Sequence, residues 1–127
     1  TKIYIDLRIS TSYKEYLDSK GCDYSLKLSM GGNEFVYGSS TFQIKEYSDG
    51  VYFELLMNIP KDKESWNAKF EISLIANDGD DFFMETNAVS VSYMDAVQEM
   101  YDAREEMGLS DLQIKVLLEI LKFKSVE

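Results

Sequence analysis

Residues 89–107 read VSVSYMDAVQEMYDAREEM, and the hydrophobic period changes inside this stretch. Up to Tyr93 the apolar residues Val89, Val91 and Tyr93 recur at every second position, as in a strand with one buried face. From Met94 the spacing becomes helical, with Val97, Met100, Tyr101 and Met107 gathered on one side. Strands followed by helices predict an α+β fold with an antiparallel sheet or sandwich, rather than an alternating parallel one.

Working back from residue 93, period-two segments dominate. Ile3, Ile5, Leu7 and Ile9 alternate with Tyr4, Asp6 and Arg8. Leu26, Leu28 and Met30 repeat the pattern, and Gly31-Gly32-Asn33 turns the chain into Phe35-Val36-Tyr37 as a hairpin. Phe42 and Ile44 open a strand that closes at Ser48-Asp49-Gly50. Val51, Phe53, Leu55, Met57 and Ile59 line the inner face of the next, and Pro60 stops it. Phe70, Ile72, Leu74 and Ala76 give one more before the turn at Asn77-Asp78-Gly79-Asp80, and Val89–Tyr93 gives the last. The prediction is about seven short strands in a β-rich part, residues 1–93. Residues 11–23, with Tyr13, Tyr16 and Leu17, fit either a short helix or a folded loop. Tyr4, Tyr52 and Leu56 fall on outer strand faces, which predicts partial cover there.

Working forward, the first helix is expected over Met94–Met107, with Gly108 as its left-handed terminator. Ser110 and Gln113 have capping-box spacing, so a second helix begins there and continues through Ile114, Leu117, Leu118 and Leu121 toward Phe123. Residues 94–127 are thus a two-helix hairpin packed on the β-rich part. The second helix is apolar around about 240° and needs two partners. The sheet and the first helix could supply both; a second copy of the chain could supply one, giving a homodimer. Leu117 and Leu121 are expected in the core. Arg104 is expected near a helix C-terminus, its charged head turned outward.

A chain of 127 residues with 45% hydrophobic and 28% charged side chains is expected to form a single domain, 1–127, with one core. It has no apolar run of transmembrane length and no basic stretch leading into an apolar segment. Cys22 is its one thiol, which excludes an intrachain disulfide and a thiolate zinc site, and the expected location is cytoplasmic. Histidine is absent, removing Ser-His and Cys-His catalysis and the commonest transition-metal ligand. Gly31-Gly32 lacks the spacing of a phosphate-binding loop. The run Asn77-Asp78-Gly79-Asp80-Asp81 misses the calcium-loop pattern of the EF-hand, so a turn is expected there. The chain is read as non-enzymatic, with no cofactor and no metal.

Charge carries the functional signal. The formal net charge is −10, and the segment from Glu71 to Asp111 holds eleven acidic side chains against one basic, Arg104. Elsewhere acids and bases balance. At 100° per residue, Asp95, Glu99, Asp102 and Glu106 fall within about 60° of one another and form a carboxylate stripe opposite the apolar side. Their spacing of about 5 Å imitates a phosphate backbone only loosely. With Asp78, Asp80 and Asp81 at the turn, they are expected to meet a protein partner with a basic surface. Trp66, conspicuous in a charged loop, is a candidate anchor. The expectation is a small inhibitor, immunity-type or viral counter-defence protein that occludes its partner; direct nucleic-acid binding and membrane association are not expected. The alternative is a self-associating β-rich assembly subunit of a virion or appendage. A solvated helix surface is the plainer explanation of the stripe.

Overall fold

A computed structural model describes residues 1–125 as an α+β protein whose strands precede its two C-terminal helices. One sheet has the order β1-β5-β4, built from β1 (Lys2–Ile9), β5 (Gly50–Asn58) and β4 (Phe42–Tyr47). The other runs β3 (Asn33–Tyr37), β2 (Asp23–Met30), β6 (Phe70–Asp78) and β7 (Asp81–Glu85), with β8 (Val89–Val91) also on β6. All strand pairing is antiparallel, as the run of strands before helices predicts. Residues 11–23 resolve in favour of a helix, α1 (Thr11–Ser19), whose first turn is capped by the Ser10 hydroxyl. No helix among the described residues is long and apolar enough to cross a membrane.

The expected seven strands become eight, because β7 replaces part of what the sequence presents as a turn. Its residues Phe82 and Phe83 are adjacent aromatics, so no period-two signal marks them. A β-bulge explains the irregularity: Met84 pairs with Ala76 and Phe82 with Asn77, leaving Phe83 as the extra residue.

Contacts divide the chain into two compact units. The division does not fall at residue 93, where the sequence separates a β-rich part from a helical one. One unit comprises Asp6–Leu55 and Phe70–Ser90. Its buried residues include Leu26, Leu28, Phe53, Ile72 and Leu74, none with measurable exposure. Tyr24 on β2 meets Phe53 on β5 at 5.4 Å between ring centroids, so here the two sheets face each other. Glu54 is buried and accepts a hydrogen bond from the Gln43 amide at 3.1 Å.

The other unit joins Thr1–Ile5 and Leu56–Lys69 to the chain from Val91 onward. Here α2 (Tyr93–Asp102) packs against α3 (Asp111–Leu121). Tyr93, assigned to a strand by its spacing, is the first residue of α2, because Ser92 and Asp95 close a capping box around it. A second such box, Ser110 with Gln113, opens α3 as its spacing predicts. The α-helix proper ends at Asp102, short of Met107. From Ala103 the chain continues as turns, closed where Gly108 (φ 64°) donates to the Glu105 carbonyl and Leu109 to that of Arg104. That pair of bonds is the Schellman arrangement, so Gly108 supplies the expected left-handed residue but closes the turns that follow α2, whose own cap is Ala103.

On α3, Leu117 and Ile120 are buried and Leu121 is half-buried. Leu112 and Leu118 are 73% and 42% exposed, and at 100° per residue they lie on opposite flanks of the buried arc. The broad apolar surface is therefore covered at its centre and open at its edges.

Candidate partner-binding surface

The acids of the α2 region are put to different uses. Asp95 closes the capping box through its hydrogen bond with the Ser92 backbone and pairs with Lys69. Burial pushes its pKa up, but the Lys69 and Ser92 hydrogen bonds outweigh this and hold the carboxyl below the usual carboxylate range. A negative side chain in the first turn also suits the helix dipole. Asp95 is thus committed to the fold. Glu99 is exposed on α2, and Asp102, at its last position, accepts from the Gln98 amide at 3.0 Å. Glu106 lies beyond the helix, among the turns, so the stripe expected along one continuous helix stops at Asp102.

Arg104, the one cation of the acid-rich segment, is occupied as well. Its Nη1 donates to the Tyr101 carbonyl at 2.9 Å, and its guanidinium lies 4.2 Å from the centroid of the Tyr101 ring. It adds a charged donor to a carbonyl at the end of α2 that already accepts from the Arg104 backbone N–H at 3.2 Å, a favourable place for a cation beside a helix C-terminus. Glu105, Glu106 and Asp111 remain exposed in the connection to α3.

Trp66 is not a surface anchor. It is 8% exposed, its indole Nε1 donates to the Pro60 carbonyl at 2.7 Å, and Phe123 meets it edge-on at 5.6 Å. The loop that carries it makes a single 3-10 turn over Lys63–Ser65, capped by Asp62. Asn67 then pins the chain after α3, donating to the Phe123 carbonyl and accepting from Ser125 N–H.

Asp78, Asp80 and Asp81 form the tip of the β6–β7 hairpin, the turn their composition predicts. Gly79, at φ 64°, supplies the left-handed residue that the turn requires. All three carboxylates are exposed, and Asp78 and Asp81 stand directly opposite each other in the ladder. Among the described residues, no cation pairs with any of the three. Of these acids Asp78 also acts on the buried Cys22 thiol: burial, then Asp78, Asp23 and Asp18, push its pKa up.

The base of the hairpin is held firmly. Glu85 pairs with Lys27 at 2.8 Å and accepts from the Ser73 hydroxyl at 3.1 Å. Lys27 is the larger influence and, against the opposing effect of burial, keeps the Glu85 carboxyl below its usual range. Thr86 continues the strand contact, its N–H donating to the Leu74 carbonyl while its hydroxyl accepts from Leu74 N–H. Between this base and the acidic tip stand Phe82, 66% exposed, and Phe83, 37% exposed. Sequence periodicity missed both; two adjacent aromatics directly after an acidic turn were the available signal.

An open cleft of about 420 Å³ lies in the same unit, lined by Leu7–Ser10, Tyr13, Met84–Asn87 and Val89. Its charged side chains already have partners: Arg8 donates to the Asp49 carbonyl at 2.8 Å, and Glu85 holds Lys27. Among the described residues, no three acidic or thiol side chains converge as a metal site. No protein-family model matches the chain, and no curated protein or solved structure matches it.

Proposed function

We propose that the protein is a non-enzymatic interaction protein whose acidic surface occludes a basic surface on a protein partner, as an inhibitor does. One observation carries the reading: Asp78 faces Asp81 across the hairpin with no cation to relieve them. Like charges directly opposite in a ladder destabilise it by some tenths of a kcal/mol. Elsewhere in the acid-rich segment, Lys27 and Lys69 neutralise the acids that hold the fold together, Glu85 and Asp95. The tip acids serve no such purpose, and a cationic partner would turn their cost into attraction. The helical unit carries exposed acids of its own, Glu99, Asp102, Glu105, Glu106 and Asp111.

The test is a fluorescein-labelled peptide of alternating arginine and serine, titrated with the protein at low and physiological salt. Binding that weakens as salt rises, and that falls several-fold in the Asp80→Lys, Asp81→Lys variant, is the expected result. Binding indifferent to both salt and substitution would overturn the reading.

Self-association as an assembly subunit is the second reading. Its support is β3, an edge strand with Phe35 and Val36 exposed at 46% and 61% and with neither lysine nor proline to blunt it. Light scattering after size-exclusion chromatography separates the two readings: a stable oligomer of the isolated chain favours assembly, and a monomer favours inhibition.

A further inference from the structure

The β6–β7 bulge does more than irregularise a strand. In an unbulged ladder, Phe83 would follow Phe82 into register opposite Ala76, a residue with no measurable exposure, and would turn to the core face. The extra residue gives that position to Met84 and leaves both aromatics outside. Phe82 is consequently the most exposed aromatic side chain among the described residues. Its register partner Asn77 pairs in turn with Asp23, and the neighbouring row on that sheet face holds Ser25, the half-buried Ile75 and Glu85. Phe82 therefore stands on an open sheet face at its edge, with Asp23 two strands away along its own row and the Asp78–Asp81 tip beside it, while Glu85 in the next row is paired with Lys27.

The backbone under the two rings is anchored at one end by the Thr86–Leu74 hydrogen bonds and at the other by the Asp78–Asp81 pair that closes the turn. A phenylalanine has only two side-chain torsions to fix, so immobilising it on contact costs little. Exposed aromatics on an anchored hairpin, beside the unpaired Asp78, Asp80 and Asp81 carboxylates, have the character of an interface hot spot with a polar rim. The sign of the rim chooses the occupant. It requires cations around an apolar centre.

We propose that Phe82 and Phe83 are the apolar anchor by which the acidic hairpin seats a partner protein segment in which an aliphatic or aromatic side chain is flanked by arginine or lysine. This inference rests on the acidic-surface reading above and adds what gives the complex its lifetime: carboxylates speed the encounter, and the rings slow the departure.

The experiment compares two fluorescein-labelled peptides of equal length and charge, one alternating arginine with leucine and the other arginine with serine. Wild-type protein should bind the leucine peptide about tenfold more tightly, the ratio expected of one modest hot-spot contact. The Phe82→Ser, Phe83→Ser variant should lose that preference while keeping salt-sensitive binding of the serine peptide. Phe82→Ser alone, at the more exposed position, should lose most of the preference and repeats the test should the double variant unfold. Equal affinity of the two peptides for the wild type, or a preference that survives the substitutions, overturns the anchor while the acidic-surface reading stands. Failure of the serine peptide to bind the wild type in a salt-sensitive way overturns that reading, and the anchor falls with it.

Discussion

At the start of α2, Asp95 closes a capping box and holds Lys69; at the β6–β7 turn, Asp81 stands opposite Asp78 with no cation between them. Both come from the same acid-rich segment, and nothing in composition separates them. The difference is position. A carboxylate in the first turn of a helix meets open N–H groups and a favourable dipole, whereas one at a hairpin tip meets only what the neighbouring strand offers. An acidic segment is therefore not a uniform surface. Part of it is tied into the fold, and part stands exposed with no cation paired to it among the described residues.

The largest effect expected from breaking this division is in the helical unit. Leu117→Ala should cost about 2–5 kcal/mol in denaturant unfolding, because the side chain is buried where the two helices pack. Ser92→Ala should cost about 1 kcal/mol by opening the capping box, with helix content falling in parallel.

Acid titration sharpens the contrast. Asp18, Glu85 and Asp95 all have pKa values held below those of the unfolded chain, so each stabilises the fold above the ordinary carboxylate range. That stability is lost as pH falls from about 4 through the lowered values. In urea unfolding at neutral and acid pH, Asp95→Asn should therefore lower stability most at neutral pH and flatten the fall on acidification. The smallest effect belongs to Asp81→Asn, which removes a like-charge pair and should raise stability by a few tenths of a kcal/mol. A loss above ~1 kcal/mol would show that Asp81 also holds the fold together.

Much of this fold is legible in the sequence, and the places where legibility fails have physical causes. Ile3–Ile9 and Leu26–Leu28 alternate cleanly because one face of each strand is buried, and the Ser110–Gln113 capping box is local chemistry that spacing alone reveals, whereas the Ser92–Asp95 box is hidden by a period-two spacing that runs on to Tyr93. The end of α2 is another matter: apolar spacing continues to Met107, while the backbone leaves the helix at Ala103, whose N–H caps it, and runs on as turns that Gly108 closes. Trp66 shows the same limit. Its surroundings in the chain are charged, yet Pro60 and Phe123, brought close only by folding, bury it. At the candidate surface, the acids are visible from composition. Which of them are neutralised depends on lysines far away in sequence, Lys27 for Glu85 and Lys69 for Asp95. Phe82 and Phe83 escape notice because a bulge breaks the period that would have marked their strand.

In the proposed function the hairpin carboxylates act on a partner, and Asp95 acts on the fold. Stopped-flow association with the arginine–serine peptide at low salt, for wild type, Asp80→Lys/Asp81→Lys and Asp95→Asn, tests it most directly. Association should be several-fold slower for the hairpin variant and near wild type for Asp95→Asn, and all three rates should converge as salt screens the exposed charges. Equal low-salt rates for wild type and the hairpin variant, or a slowing confined to Asp95→Asn, would contradict it.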